Sequence, residues 1–161
     1  MKNRETLLVT LKECRLHEEV LREASDELGG IHFDEKTVQH IDSQQRRLLD
    51  QLAYRFSKLQ DSMGVKLLPM LLDLAEEPLP QETPFAEKLQ RLERLGALES
   101  VERWRQLREI RNQISHDYED APAIKAAVLN KFITEVGSLL DMWKKAEEFT
   151  VQYMTSTGDS V

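Results

Sequence analysis

Apolar residues recur every three or four positions along most of this chain, which is the spacing of amphipathic α-helices. The first such stretch predicts a helix over residues 4–28, ended by Gly29 and Gly30. The second predicts a helix over residues 34–63, which Gly64 interrupts. Its near-heptad stripe is either protein core or a seam with another subunit, and comprises Leu48, Leu52, Phe56, Leu59 and Met63.

The middle of the chain alternates between apolar and loop-forming segments. Residues 66–75 are strongly apolar around Pro69, which suits either a cap on the core or a dimer contact. The prolines and polar residues of 76–84 predict a surface loop. Thr83 is expected to cap the next helix, with Pro84 at its first position and Gly96 at its end. The buried face of that helix is predicted to comprise Phe85, Leu89, Leu92 and Leu95.

Two more helices complete the pattern. Ser100 is expected to cap the first of them, and the last begins near Pro122 and ends near Thr150. The apolar face of the last helix is predicted to comprise Ile124, Val128, Phe132, Val136, Leu139, Trp143 and Ala146. We therefore predict an all-α fold: an antiparallel, homodimeric bundle of four to five main helices. Residues 1–150 form its single domain, and 151–161 a frayed polar tail.

Charge and cysteine content narrow the functional classes. The net charge of −7 argues against a surface that coats nucleic acid broadly, although a local basic cleft is compatible with it. The single cysteine, Cys14, excludes an internal disulfide and fits a reducing, cytoplasmic location. It lies on the apolar stripe of its helix, which predicts burial. No apolar run approaches membrane-spanning length, so we expect no membrane association.

Three of the four histidines offer no obvious chemistry. His17 lies on the apolar side of the first helix, which indicates a core or interface residue, with a second catalytic histidine as the alternative. His32 and His40 have no partner at ligand spacing. The sequence therefore predicts no metal site and no cofactor.

The chemistry is concentrated between the last two helices, in residues 111–118, Arg-Asn-Gln-Ile-Ser-His-Asp-Tyr. Arg111 carries a permanent, planar cation that suits phosphate oxygens. His116 exchanges protons near neutral pH, and Tyr118 adds a hydroxyl. On an ideal helix Arg111 and His116 lie about 140° apart, so one straight helix cannot bring them to one phosphate. Either the helix unwinds around residues 115–117, or two copies of the chain share a pocket.

These residues carry a family resemblance. Arg-x4-His-x-Tyr, with Asn112 after the arginine, resembles the motif of HEPN-domain toxins, the HepT-like ribonucleases. Residues 100–110 resemble the helix that precedes that motif, and 54–64 resemble the second helix of one subgroup. The resemblance implies a metal-independent endoribonuclease toxin of a toxin–antitoxin pair, with its pocket at a homodimer interface. It also implies that a partner nucleotidyltransferase, the antitoxin, silences the toxin by attaching AMP to Tyr118.

Cleavage by this route needs few groups. His116 suits removal of the ribose 2′ proton, and Arg111 suits the negative charge that grows on the phosphate. Asn112 lies one turn before His116 and is expected to orient its ring or to donate to phosphate. Arg105 and Arg108 share the polar helix face with Asn112 and His116, so we expect them to contact RNA.

Structural alternatives exist for each of these residues. Arg55 is either a further phosphate contact or a surface residue with a buried stem. Arg111 has Asp61 as a candidate partner, and His116 alternatively donates to the carbonyls at a helix end. Tyr118 is alternatively a packing residue. The corresponding alternative function is a non-catalytic helical module that binds a nucleotidyltransferase or another protein through residues 67–74.

Overall fold

The structure is a computed structural model, and it describes residues 2–75 and 79–156. Its α-helices are α1 (Lys2–Leu28), α2 (Ser43–Asp61), α3 (Leu68–Leu74), α4 (Phe85–Leu95), α5 (Val101–Ile114) and α6 (Pro122–Ser156). A 3-10 turn, Thr37–His40, precedes α2, and a π-helical turn, Ser62–Leu67, joins α2 to α3. No β-strand occurs within the described ranges, so the all-α prediction is confirmed.

The first two long helices pack against each other in opposite directions. Lys66 Nζ lies 2.9 Å from Glu13 Oε2, and Arg55 Nη1 lies 3.0 Å from His17 Nδ1. Residue numbers therefore rise along α1 while they fall along its neighbour, as an antiparallel bundle requires. The near-heptad stripe of α2 is buried within the chain, which confirms the core alternative for it.

The second helix begins later than the sequence predicts. The predicted start at residue 34 is wrong, because Asp42 forms a capping box at the N-terminus of α2. The Asp42 carboxylate accepts from the Gln45 backbone N–H at 2.7 Å, and the Gln45 side chain accepts from the Asp42 N–H at 3.1 Å. Asp34 and Thr37 form a separate local turn, since Thr37 N donates to Asp34 Oδ1 at 2.7 Å. These side-chain hydrogen bonds end the preceding segment at residue 41.

The α-helix is interrupted around Gly64, as predicted, but the interruption is a π-helical turn and not a loop. The helix widens into the π-helical turn and continues as α3, with Pro69 in its first turn. A Cβ atom at Gly64 would lie 3.0 Å from Cζ2 of the buried Trp104 ring, so the glycine permits close packing of α5. A glycine is therefore required at position 64 because of its tertiary contact with Trp104.

The apolar segment after Gly64 belongs to the core. Leu67, Leu68, Leu71 and Leu72 are all buried, which confirms the core alternative for residues 66–75. The docking surface considered on residues 67–74 is consequently reduced to half-buried Pro69, Met70 and Leu74 and exposed Asp73. Four large leucines that already contact the chain's own interior are unavailable to a partner.

Helix ends were predicted with mixed success. Gly96 closes α4 with φ of 85°, and Ser100 caps α5 by accepting from Arg103 N, both as predicted. The predicted Thr83 cap is wrong, because Pro84 occupies the N-cap position and Phe85 begins α4. Residues 79–84 form loop and turn as predicted, whereas 76–78 lie outside the described residues.

The predicted apolar faces contain two errors. Phe85 is 40% exposed and Ile124 is 53% exposed, so neither belongs to the core. Both lie in the first turn of their helices. The last helix also continues to Ser156, beyond the predicted end, and Met154 near its end is 2% exposed. The remainder of the predicted tail, residues 157–161, lies outside the described residues.

Two groups on α1 are buried as predicted. Cys14 is fully buried, and burial raises the pKa of its thiol to about 12, so it remains an unreactive hydrophobic group. His17 is also buried, and its Nδ1 faces the Arg55 guanidinium. Because arginine only donates, His17 Nδ1 is the acceptor and the ring is neutral with its proton on Nε2. This arrangement confirms a core histidine.

The buried His17 makes stability depend on pH. Burial, followed by the nearby Arg55 charge, lowers the pKa of His17, while Glu13 acts in the opposite direction. In the unfolded chain the pKa of His17 is about 6.5. As the pH falls, His17 is therefore protonated in the unfolded chain before it is protonated in the folded chain. We expect the free energy of unfolding to decrease below about pH 6.5, until the pH is under the lowered folded-state pKa. Urea denaturation between pH 7.5 and 5 should show this loss.

The matched variants are His17→Gln and His40→Gln. Glutamine at position 17 keeps an acceptor for Arg55 but does not titrate. The His17→Gln variant should therefore lose less stability on acidification than the wild type. His40 is exposed, and its replacement should leave the pH dependence of the wild type unchanged. Identical pH dependence in all three proteins would contradict the assignment of the titration to His17.

Candidate functional site

The chain leaves the last turn of α5 within the candidate segment, residues 111–118. This is the position, around residues 115–117, for which the sequence indicated an unwound helix as one of two alternatives. Helix α5 ends at Ile114, and Ser115 forms its C-cap. Ser115 Oγ donates to Asn112 O at 2.6 Å, and His116 N donates to Gln113 O at 3.2 Å, so the last turn tightens before the chain departs. The exposed side chain of His116 therefore belongs to a loop.

Tyr118 adopts an unusual backbone conformation in this loop. Its φ angle is 53°, the only positive value for a non-glycine residue within the described ranges. The left-handed region disfavours residues with a Cβ by roughly 1–2 kcal/mol, and such strain concentrates at functional sites. The Tyr118 and His116 rings meet edge to face, with centroids 5.9 Å apart and planes at 76°. The strained turn thus places the phenol directly against the imidazole.

Arg111 is held by a carboxylate on the preceding helix. Its Nη1 donates to Asp61 Oδ1, and its Nη2 donates to Asp61 Oδ2 at 3.0 Å, which confirms Asp61 as the partner. The side chains are 28% and 45% exposed, so solvent screens the pair. A guanidinium has five N–H groups, and this two-point contact uses two of them. The remaining donors stay available to an anion.

A cleft of about 440 Å³ opens beside His116 and Tyr118. It lies between the start of α2, the end of α5 and the start of α6. Its lining comprises Val38, Gln39, Ile41, Arg46, Leu49, Asp50, Ala53, Ile114, His116, Asp117, Tyr118, Glu119, Lys125, Val128, Leu129 and Phe132. Arg111 is not among these residues, so within one chain the two main motif residues do not line a common cleft.

Two cationic side chains, Arg46 and Lys125, line the cleft, and only Lys125 forms an ion pair with a described residue. Lys125 Nζ donates to Glu119 Oε1 at 2.8 Å. Arg46 is exposed and forms no ion pair with any described residue, and the same holds for Asp50 one turn later on α2. Sequence reasoning missed these three cleft residues. The sequence contained one signal for them. Arg46 and Asp50 are charged residues next to the start of the predicted apolar stripe, which begins at Leu48.

The remaining predicted contacts lie elsewhere on the surface. Arg105, Arg108 and Asn112 are exposed on α5 and do not line the cleft. Arg55 faces His17 across the α1–α2 interface, with its guanidinium carbon 5.4 Å from the Tyr54 ring centroid. The structure therefore brings His116 and Tyr118 together at the cleft, whereas the other predicted basic residues do not line it.

The described part of the chain contains neither a metal-ligand group nor a membrane-spanning helix. Among residues 2–75 and 79–156, no three histidine, cysteine or acidic side chains are grouped so that they could hold a metal ion. No helix in those ranges has both the length and the hydrophobicity that a membrane span requires.

Comparisons with protein-family models, with curated proteins and with solved structures find no match for this chain.

Proposed function

We propose that this chain is an endoribonuclease that needs no metal ion, with His116 as the proton-transfer group and Arg111 as the cation for the reacting phosphate. One observation carries the proposal. An exposed histidine leaves a helix end beside a strained tyrosine, on a cleft that also contains an uncompensated arginine, Arg46. The Arg-x4-His-x-Tyr spacing, which resembles that of HEPN-domain toxins, supports the same chemistry.

The reaction proceeds by attack within the RNA itself. His116 removes the proton of a ribose 2′-hydroxyl, and the 2′ oxygen forms a bond to the adjacent phosphorus. The bond from phosphorus to the 5′ oxygen breaks, that oxygen takes up a proton from water, and His116 returns the proton it removed to the solvent. The products are a 2′,3′-cyclic phosphate and a free 5′-hydroxyl. Arg111 neutralises the charge that accumulates on the phosphate oxygens.

We assign this activity to a homodimer. Arg111 and His116 do not line one cleft within a single chain, and this supports a phosphate shared between two copies. Asp61 fixes the Arg111 guanidinium from one side and leaves its other donors available to RNA bound by a facing chain. Asp61 is in this view a positioning residue.

A mixing experiment tests both the activity and the shared site. We expect wild-type protein to cleave RNA in the presence of chelator, and Arg111→Ala and His116→Ala proteins each to be nearly inactive. Co-refolding the two variants should restore cleavage, because a mixed dimer contains one site with both residues intact. Size-exclusion chromatography with light scattering reports the fraction of dimers.

The outcomes separate the parts of the proposal. If wild-type dimers do not cleave RNA, the ribonuclease assignment is wrong. If the wild type cleaves but the mixture stays as inactive as its components, both residues act within one chain. The control combines Arg111→Ala and His116→Ala proteins that have each been refolded alone. This combination should stay nearly inactive, because it contains no mixed dimers.

Regulation is part of the proposal through Tyr118. We assign this tyrosine as the site where a partner nucleotidyltransferase, acting as antitoxin, attaches AMP. The added phosphate and nucleoside would place bulk and negative charge beside His116 at the cleft, which would repel RNA. Intact-mass analysis after co-expression with such an enzyme should show one added adenylate, and an unchanged mass would contradict this assignment.

The Arg111–Asp61 pair favours a second candidate function. An arginine already satisfied by a carboxylate is also what a purely structural role requires, and the chain would then be a non-catalytic binding module. Because the leucines of the π turn and α3 are buried, a partner would have to use apolar residues exposed elsewhere, such as Val9, Leu16, Tyr54 and Val65. A stoichiometric protein complex without any RNA cleavage by the free chain would favour this function.

A further inference from the structure

Several ionisable side chains of the cleft, Arg46 and Asp50 among them, form no ion pair with a described residue. Arg46 is exposed and forms no ion pair with a described residue, whereas Glu119 compensates Lys125. The lining contains two cations, Arg46 and Lys125, and three carboxylates, Asp50, Asp117 and Glu119. A bound anion would therefore be recognised by the donors of the Arg46 guanidinium itself and not by the net charge of the cleft. The planar arrangement of these donors matches phosphate oxygens in particular.

Part of the cleft lining, here called the aliphatic wall, is apolar. It includes the buried Leu49 and Phe132 and a set of half-buried aliphatic side chains, Ile41, Ala53, Ile114, Val128 and Leu129. A free inorganic phosphate would leave this wall in contact with water. The wall therefore indicates a ligand that has an uncharged, largely apolar part as well as a phosphate.

The rim of the cleft suits a flat ring. Tyr118 and His116 present aromatic edges and faces there, and single-stranded RNA bases commonly stack on such side chains. Asp50 offers only acceptor oxygens, which suit the amino groups of a base or a ribose hydroxyl. The volume of about 440 Å³ falls in the range of roughly 300–1,000 Å³ that small-molecule sites occupy.

From these features we infer that the cleft is a subsite for one nucleotide of the RNA strand, with its phosphate on Arg46 and its base between Tyr118 and the aliphatic wall. The inference rests on the proposed ribonuclease function and adds the place where the substrate is held. His116, on the same rim, would then meet the ribose of that nucleotide or the next phosphate. Arg46 is in this arrangement a binding residue.

Nucleotide binding tests the subsite directly. Adenosine 3′-monophosphate is titrated into the isotope-labelled full chain, and the shifts of backbone amides around the cleft are followed by NMR. We expect Arg46→Gln to weaken binding at least about tenfold, as loss of a charge-assisted contact predicts. Arg47→Gln is the matched control, because Arg47 is the adjacent exposed arginine outside the cleft. Its affinity should stay within about twofold of wild type.

Inorganic phosphate is the second probe. The aliphatic wall and the aromatic rim should make the nucleotide bind at least about tenfold more tightly than phosphate alone. Equal affinity for the two probes would overturn the inference, since charge alone would then account for binding. Equal effects of Arg46→Gln and Arg47→Gln would overturn it as well.

Cleavage assays distinguish this inference from the proposed function. If the nucleotide binds through Arg46 but the wild-type chain cleaves no RNA, the cleft is a nucleotide site and the ribonuclease assignment fails. A different outcome is that RNA cleavage depends on His116 while Arg46→Gln changes neither KM nor nucleotide affinity. The ribonuclease assignment would then be supported, and the proposed nucleotide subsite would be wrong. When both hold, Arg46→Gln should raise KM with little change in kcat, as loss of uniform binding requires.

Discussion

Replacing His116 by alanine should lower the rate of RNA cleavage by about 10²- to 10⁴-fold, which is the usual contribution of a positioned general acid or base. Histidine is the side chain that most often transfers protons in catalysis, and His116 is the only histidine of the motif. Its removal should leave folding intact, because His116 is exposed in a loop and its only described ring contact is with Tyr118. Initial rates on a fluorescent RNA, measured with chelator present, give the effect.

The matched control is His40→Ala. His40 is an exposed histidine next to Gln39, which lines the cleft, but His40 itself does not line it. We expect this variant to cleave at the wild-type rate. Should His116→Ala cut RNA as fast as wild type, His116 has no part in proton transfer and the mechanism fails. Thermal denaturation of each variant separates a lost activity from a lost fold.

Replacing Phe132 by alanine should cost about 3–5 kcal/mol of unfolding free energy. Phe132 is 1% exposed on α6, and its ring meets that of Phe56 on α2 edge to face, with centroids 5.2 Å apart. Truncation removes the apolar contact and leaves a cavity between two helices that also form the cleft. Urea denaturation, fitted with a common slope, measures the difference in unfolding free energy.

The neighbouring Lys131→Ala variant is the control for this experiment. Lys131 is exposed on the same helix, and its replacement should change the unfolding free energy by no more than about 0.5 kcal/mol. A loss below about 1 kcal/mol for Phe132→Ala would show that the two helices repack easily at this point. The floor of the cleft would then be less fixed than its contacts indicate.

Features set by residues within one or two helical turns were predictable from the sequence. Gly96 and Ser100 delimit their helices as predicted, because capping depends on backbone groups a few positions away. The burial of Cys14 and His17 followed from their place on an amphipathic stripe. The departure of His116 from α5 was one of two alternatives left open by the angle between Arg111 and His116 on an ideal helix.

Features that depend on a distant part of the chain were not predictable in this way. The role of Gly64 required the contact with Trp104, which lies on another helix. The exposure of Phe85 and Ile124 depended on which helices cover the first turns of α4 and α6. Periodicity identifies the apolar face of a helix, but it does not identify the neighbour that covers each turn of that face.

The sequence by itself determined an all-α chain, the stripe residues of its core and the position of the Arg111–Tyr118 motif at a helix end, because each is set by short-range periodicity and capping. Only the tertiary structure decided that Arg46, His116 and Lys125 line one cleft, whereas Arg111 pairs with Asp61 and does not line it. Those groups come from three helices and a loop, and the packing of α2 and α6 around the end of α5 brings them together.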